Sequence, residues 1–380
     1  MDLDAIVIGV GGMGSAAVYH LARRGARVLG LERFAVPHDR GSSHGATRII
    51  RLAYAEDPLY VPLLERAYVL WGLLERDAGE PLLVRTGGFD IGAPDGRMVP
   101  GTLRSCAAHG LAHEVLDARA IAARFPGYRL PDGLVGVWQP ESGYLLSERA
   151  IIAHVAQARA LGADVRTGEV VTGWEASGRG VTVRTTAGVH HARRLIVTAG
   201  PWAGEVVPAL AGLAVAERQV LLWTRPAAPD LFEPPRFPVF NMEAPEGHFY
   251  GFPSHAGTGF KIGKYHHFGE RTAPDAVDRE IHPWDEQVLR DAIRRYFPGA
   301  DGPTLSRATC LFTNSPDEHF ILDHLPGTPE VAVAAGFSGH GYKFCSVVGE
   351  IMADLALDGG SPLDLSLFRL ARFAPGAPGR

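Results

Sequence analysis

The hydrophobic pattern opens with a short run of branched apolar residues, Ile6-Val7-Ile8, the texture of a strand buried in a parallel sheet. Gly9-Val10-Gly11-Gly12-Met13-Gly14 follows, then a helix-period stretch through Ala17 and Leu21 and a stop at Gly25. A second strand over 27–31 ends at Glu32. Val61, Leu64, Tyr68, Trp71 and Leu74 recur at three- and four-residue spacing and predict an amphipathic helix over 59–77. Residues 82–142 are mixed, with short strands at 88–91 and 134–138 around a helical piece. A helix over 147–161, a strand over 164–167 and hairpin-like strands over 170–176 and 181–186 come next. A buried strand at 194–198 runs into small residues. Prolines break 226–238 too often for regular structure and predict a surface excursion. Aromatic, glycine and basic residues alternate over 249–268, which suits strands lining a pocket. A helix over 285–297 stops at Pro298-Gly299, and a strand over 307–313 carries Cys310. The last strand (331–335), a Gly-rich turn (336–344) and an apolar-striped helix repeat the strand–turn–helix order of the N-terminus.

Composition narrows this to a class. At 380 residues the chain exceeds the usual single core, so two domains are expected. With 46% hydrophobic and 21% charged residues it reads as an ordinary globular protein. A net charge of −5 gives no reason to expect nucleic acid or an anionic membrane surface as partner. The three cysteines, Cys106, Cys310 and Cys345, are widely spaced, which argues against a disulfide framework or a metal cluster. Asp2 and Asp4 lead straight into the first strand, unlike a secretory signal, and no apolar run has the length of a membrane span. The expectation is a cytoplasmic α/β protein.

The chemistry begins in the first turn. Gly9, Gly11 and Gly14 hold the three positions of a GxGxxG between a strand and a helix. The first permits the tight turn, the second lets backbone N–H groups approach a pyrophosphate, and the third lets helix and strand pack closely. The helix N-terminus faces the phosphates, and Glu32 lies where a carboxylate accepts from a ribose. The motif predicts a dinucleotide site without choosing between NAD and FAD. Ala199-Gly200, just past a strand end, form a second candidate contact, and the turn at 336–344 a third. The loop Asp39–Thr47 is rich in Ser, His and Gly and suits folding over a cofactor; Arg48 and Arg51, three apart, are expected on one short turn.

The stretches GVGGMGS, LERF, GSSHGATRIIR, YGFPS, FKIGKYHH, ATCLFTNSPDEHFILD and AAGFSGHGYKF resemble the monomeric sarcosine oxidase and N-methyl-tryptophan oxidase group of FAD-dependent amine oxidases. That resemblance implies a discontinuous Rossmann-like FAD-binding domain (1–80, 145–215 and 305–380) and an interleaved antiparallel-sheet substrate domain (81–144 and 216–304). It implies Cys310 as the covalent attachment point of FAD through a thioether; read alone, Cys310 is a buried small hydrophobe. Arg48 looks like the family's arginine beside the flavin, with Thr47 its neighbour. Arg51 and Lys343 look like the pair that grips a substrate carboxylate, Lys261 like the lysine that activates oxygen, Tyr250 like a pocket tyrosine, and His340 lies at the flavin edge. Candidate cofactor contacts extend to Gly12, Met13, Arg33, Ser42, His44, Val171, Trp202, Gly336, Gly339 and Gly341.

Two positions depart from the family. Its tyrosine two residues beyond the attachment cysteine is Phe312 here, and one extra residue follows Lys261. The family's pocket histidine is therefore His266 or His267, and His266 is preferred because it keeps the Tyr-His pair. The resemblance implies oxidation of an N-methyl amino acid by O2 in a monomer. A larger or cyclic amino acid such as N-methyl-tryptophan or pipecolate, an NAD-dependent dehydrogenase, and a non-enzymatic flavin-binding protein are the alternatives.

Overall fold

In a computed structural model the described residues are 3–374. Asp2 and the last residues of the segment 305–380 lie outside them. The strand Leu3–Ile8 is central to one eight-stranded sheet, parallel to Val28–Glu32 on one side and to Val189–Val197 on the other. Val189–Val197 is longer than its apolar core predicts because it serves two partners on one edge. Its first half closes antiparallel onto Val181–Thr185, and Leu195–Val197 run parallel to Val331–Val333. The helices Gly12–Arg23, Ser147–Ala160 and Cys345–Asp358 cover one face, burying Ala17, Leu21, Val155, Val348 and Ile351 against one another. The predicted helix at 59–77 is Tyr60–Ala78, with Leu64, Trp71 and Leu74 in the same core.

A second eight-stranded sheet is mostly antiparallel. Period-two alternation sorts it into two unlike faces. Phe89, Ile91, Val220, Leu222, Phe240, Met242, Phe249, Phe260 and Ile262 point one way, into a core shared with Leu289, Ile293 and Tyr296 of the helix Pro283–Tyr296. Their chain neighbours Asp90, Leu221, Asn241, Tyr250 and Lys261 take the opposite face. The third sheet is small: Thr47–Ile50 and Leu83–Arg85 flank Gly143–Leu146.

Three expectations change. Arg48 and Arg51 do not share a turn: Thr47–Ile50 is a strand that carries Arg48, and Arg51 lies just beyond its end. The stretch 226–238 contains only a short helical turn, yet Phe232 and Phe237 are fully buried in the aromatic core, so it is not a plain surface excursion. Thr304–Asn314, grouped by sequence with the cofactor segments, pairs along its length with Val215–Thr224 in the second sheet, so Cys310 stands on that sheet.

Candidate active site

Between the two large sheets lies one cavity of about 500 Å³ that reaches from Gly9 and Glu32 to Cys310, Tyr250 and Lys343. At its first end the glycine turn is packed to the limit. A Cβ on Gly14 would stand 1.8 Å from the Gly9 carbonyl oxygen, and Gly9 itself has φ +86°. Glu32 Oε2 accepts from the Val10 N–H (2.8 Å) and Oε1 from the Phe34 N–H (2.9 Å), which fixes a buried carboxylate at the end of its strand. Arg33, Val171, Ala199, Gly200 and Trp202 complete this end.

Across the middle, Arg48 donates from Nη1 to the Thr47 carbonyl (2.9 Å) and from Nη2 to the Ser42 carbonyl (2.8 Å). Nη2 also lies 3.7 Å from the Cys310 sulfur. Burial pushes the Cys310 thiol up, but His44, Arg48 and Lys261 beside it prevail and bring it down to about 7. A thiol of that acidity is substantially thiolate at neutral pH, the form that attacks an electrophile. Cys106 goes the other way: burial lifts it to about 11. Cys345 is likewise pushed up by burial.

At the far end two buried cations converge on one ring. The Arg51 guanidinium carbon is 4.9 Å and Lys343 Nζ 5.1 Å from the centre of Tyr54. Lys343 Nζ donates to the His340 carbonyl (2.7 Å) and to the Tyr54 hydroxyl (3.3 Å). Burial, with Arg51 nearby, pushes the Lys343 pKa down, while burial pushes His340 down to about 4. His340 Nε2 faces the Glu318 carbonyl at 3.0 Å, which only accepts, so that nitrogen carries the proton and Nδ1 accepts from Tyr54 (2.6 Å). The ring is neutral.

The sequence family described as FAD dependent oxidoreductase matches residues 4–355. The chain belongs to this FAD-dependent family. It is 42% identical to a monomeric sarcosine oxidase of Streptomyces avermitilis over 376 residues, 98% of each chain. It is 39% identical to an N-methyl-L-tryptophan oxidase of Salmonella typhi, over 98% of this chain and 100% of that one. Among solved structures, the amino acid oxidase NikD in its open form superposes with a TM-score of 0.83 at 26% identity, over 97% of each chain. L-proline dehydrogenase from P. horikoshii shares the fold, with a TM-score of 0.84 at 20% identity and 98% coverage of both.

The residues present fit the FAD that this oxidoreductase family uses. The Gly9–Gly14 turn leaves no room for side chains between its own strand and helix, while at Gly11 the nearest atom to a Cβ would be Ser43 Oγ at 4.0 Å. Ser42 Oγ is buried without a hydrogen-bond partner. Gly9, Gly11, Gly12, Met13, Glu32, Ser42, Arg48, Cys310, Gly336, Gly339, His340, Gly341 and Lys343 all line the cavity. Phe312, in place of the family's tyrosine, also lines it and packs on Gly339, where a Cβ would meet the Phe312 ring at 2.3 Å.

Four predicted residues stand behind the wall, and a fifth, His266, lies off it. Gly14 acts through packing, as described. His44 and Thr47 sit behind Cys310 and Arg48. Lys261 is 1% exposed and donates to the carbonyls of Gly45 (2.8 Å) and Thr47 (2.7 Å), with the cavity-lining Phe252 ring 4.3 Å from Nζ. Burial, followed by Arg48, pushes its pKa well down, against the opposing pull of Glu148 and Cys310. His266, the preferred pocket histidine, corrects differently. It stands at φ +58° in a turn and bridges Glu217 (2.9 Å) and Glu318 (3.1 Å) with its side chain 41% exposed. His267 is turned to Asp285 (2.9 Å). Tyr265, not either histidine, reaches the cavity. Tyr54, Glu56, Asp90 and Asn241 were not singled out from the sequence; Tyr54 and Glu56 follow Arg51 closely, but no motif marks them. Among the described residues no group of three or more His, Cys, Asp or Glu side chains is placed to hold a metal, and no helix is long and apolar enough to cross a membrane.

Hydrogen bonds to Glu217 and Glu318 raise the His266 pKa to about 9. The unfolded value is about 6.5. The bridge therefore stabilises the native state fully below pH ~6.5 and loses that contribution as pH rises through the folded value. The melting temperature of His266→Gln should fall below that of the unaltered protein at pH 6 and match it at pH 10. A constant deficit across that range would show that the charge on His266 is not involved.

Proposed function

We propose that this chain oxidises a secondary amino acid of the sarcosine or N-methyl amino acid class, with FAD attached through the Cys310 sulfur. The observation that carries the reading is the pairing of Arg51 and Lys343, two buried cations on one wall of the cavity whose opposite end is the dinucleotide cradle. Sarcosine oxidase and N-methyltryptophan oxidase activities in relatives of about 40% identity support the same substrate class. A carboxylate held by two such donors gains roughly 1.5–3 kcal/mol per charge-assisted bond, which sets orientation as well as affinity. FAD supplies the two-electron acceptor and the return of those electrons to O2.

The chain's own groups orient and exclude. Arg51 and Lys343 hold the acid group; Tyr250, Phe252 and Tyr265 wall the site; neutral His340 donates to the Glu318 carbonyl and adds no charge beside them. The balanced reaction converts an N-methyl amino acid, O2 and water to the amino acid, formaldehyde and hydrogen peroxide. Lys261 contributes positive charge from one layer behind the wall, where it favours charge developing on oxygen. Within this reading, residues 1–80, 145–215 and most of 305–380 hold the cofactor, 81–144 and 216–304 the substrate, and the protein acts as a cytoplasmic monomer.

The deciding experiment is a peroxide-coupled assay of the yellow protein over sarcosine, larger N-methyl amino acids, pipecolate and proline. Activity on none of them overturns the reading, and a colourless preparation that needs nicotinamide replaces it with a dehydrogenase. Three variants examine its parts. Cys310→Ser should release its flavin into the supernatant on acid precipitation, whereas the parent pellet stays yellow; a mass still increased by FAD would end the attachment. Arg51→Ala should raise the sarcosine KM about tenfold or more, equivalent to ~1.4 kcal/mol. Lys261→Met should slow reoxidation by oxygen far more than anaerobic reduction by substrate; equal slowing of both half-reactions would contradict the oxygen role.

A further inference from the structure

Arg51 is buried, yet its Nε and Nη2 atoms have no hydrogen-bond partner. Carboxylates stand a little farther off: Asp90 Oδ1 is 3.3 Å from Nε and Glu56 Oε2 is 3.7 Å from Nη2. The two are held very differently. Asp90 has no exposed surface and is tied from three elements. Thr102 Oγ1, on the helix Met98–His109, and Gln139 Nε2, on the strand Val135–Gln139, each donate to Oδ2 at 3.1 Å. Asn241 Nδ2, directly across the sheet in register with Asp90, donates to Oδ1 at 3.4 Å. Glu56 belongs to an irregular segment, and its Oε2 is buried without a hydrogen bond. Asp90 is thus an anchored carboxylate, which burial pushes up while Arg51 pulls it down, and Glu56 a loosely seated one.

Asn241 is fixed in turn. Its Oδ1 only accepts, so His248 Nε2 at 2.6 Å donates to it, which leaves the Asn241 amide nitrogen toward Asp90. Arg51 and Asn241 both line the cavity, and Asp90 stands behind them. A guanidinium whose Nε is paired with a rigid partner presents its Nη groups at a set angle, and less ordering remains to be done when a planar acid group docks.

We propose that Asp90 is a positioning residue for substrate binding: from behind the wall its carboxylate aims Arg51 and Asn241 into the cavity, so that Arg51 Nη2 exchanges Glu56 for the substrate's acid group. This rests on the reading that Arg51 grips that acid group, and it adds which of two nearby carboxylates keeps the grip aligned and which gives way.

The test uses the FAD-loaded enzyme and propanoate, a carboxylate with no amine to oxidise, titrated through the change in flavin absorbance. Asp90→Asn should weaken the propanoate Kd and raise the sarcosine KM, each about tenfold, with kcat within about threefold of the parent. Asp90→Glu, which restores the charge, should recover part of both losses. An Asp90→Asn enzyme with a lowered Tm but unchanged Kd and KM has lost only stability, and that overturns the proposal. Should Asp90→Asn not fold, Thr102→Val loosens the same carboxylate without removing it; a Kd about threefold weaker is expected, and an unchanged one overturns the proposal. Arg51→Ala, measured alongside, separates the two readings. If it leaves the propanoate Kd unchanged, the grip itself is wrong; if it weakens binding while Asp90→Asn does not, only the positioning role is lost.

Discussion

The structure depends on a constraint of the pleated sheet: adjacent residues must face opposite ways. The second sheet uses this to put an aromatic core and a polar, charged surface on the two sides of the same strands. Phe240 and Met242 bury against the helix Pro283–Tyr296 while Asn241 between them meets the cavity. Phe260 and Ile262 bury likewise around Lys261, which stands behind the cavity wall. A one-residue slip in any of these strands would bury the polar row in the aromatic core and expose the rings to the cavity, so packing on one side enforces register on the other. The precision of the site is inherited from a core that has no chemistry of its own.

Buried charge is balanced locally on both sides of this sheet. Arg51 has Asp90 and Glu56, and on the core side Arg218 is clamped by Asp285 of the helix Pro283–Tyr296, with Nη2 2.8 Å from Oδ2. Breaking one partner out of a buried pair costs about 3–5 kcal/mol, because the remaining charge is left stranded. Lys261 and Lys343 have no such carboxylate at bonding distance and rely on carbonyl and hydroxyl oxygens. Arg48 shares this, donating only to carbonyl oxygens beside the Cys310 sulfur.

The nucleotide end was legible because its chemistry is local: strand, glycine turn, helix and acid occur within about thirty residues, and each type has a backbone reason to be there. The amphipathic helices were legible for the same reason. The strand Val215–Thr224 was not, since Glu217-Arg218-Gln219 interrupt its apolar pattern, and only the structure reveals that Arg218 is buried against Asp285. The place of His266 was not legible: its neighbour Tyr265 lines the cavity, while the turn carries the histidine out to two glutamates that no spacing rule connects to it. Asp90 escaped notice because its partners come from residues 51, 102, 139 and 241, and a single aspartate inside a strand carries no signature of that convergence.

The cavity draws its lining from both large sheets: Ile8 and Glu32 belong to one, Tyr250 and Cys310 to the other. Any ligand long enough to touch both ends is a strut between two separately built cores. Because such a ligand binds the assembled chain and not the unravelled one, its affinity adds directly to resistance against unfolding. Maturation of the holoenzyme and consolidation of the tertiary structure are therefore one thermodynamic event, and the apoprotein is the form that proteases and chaperones should find first.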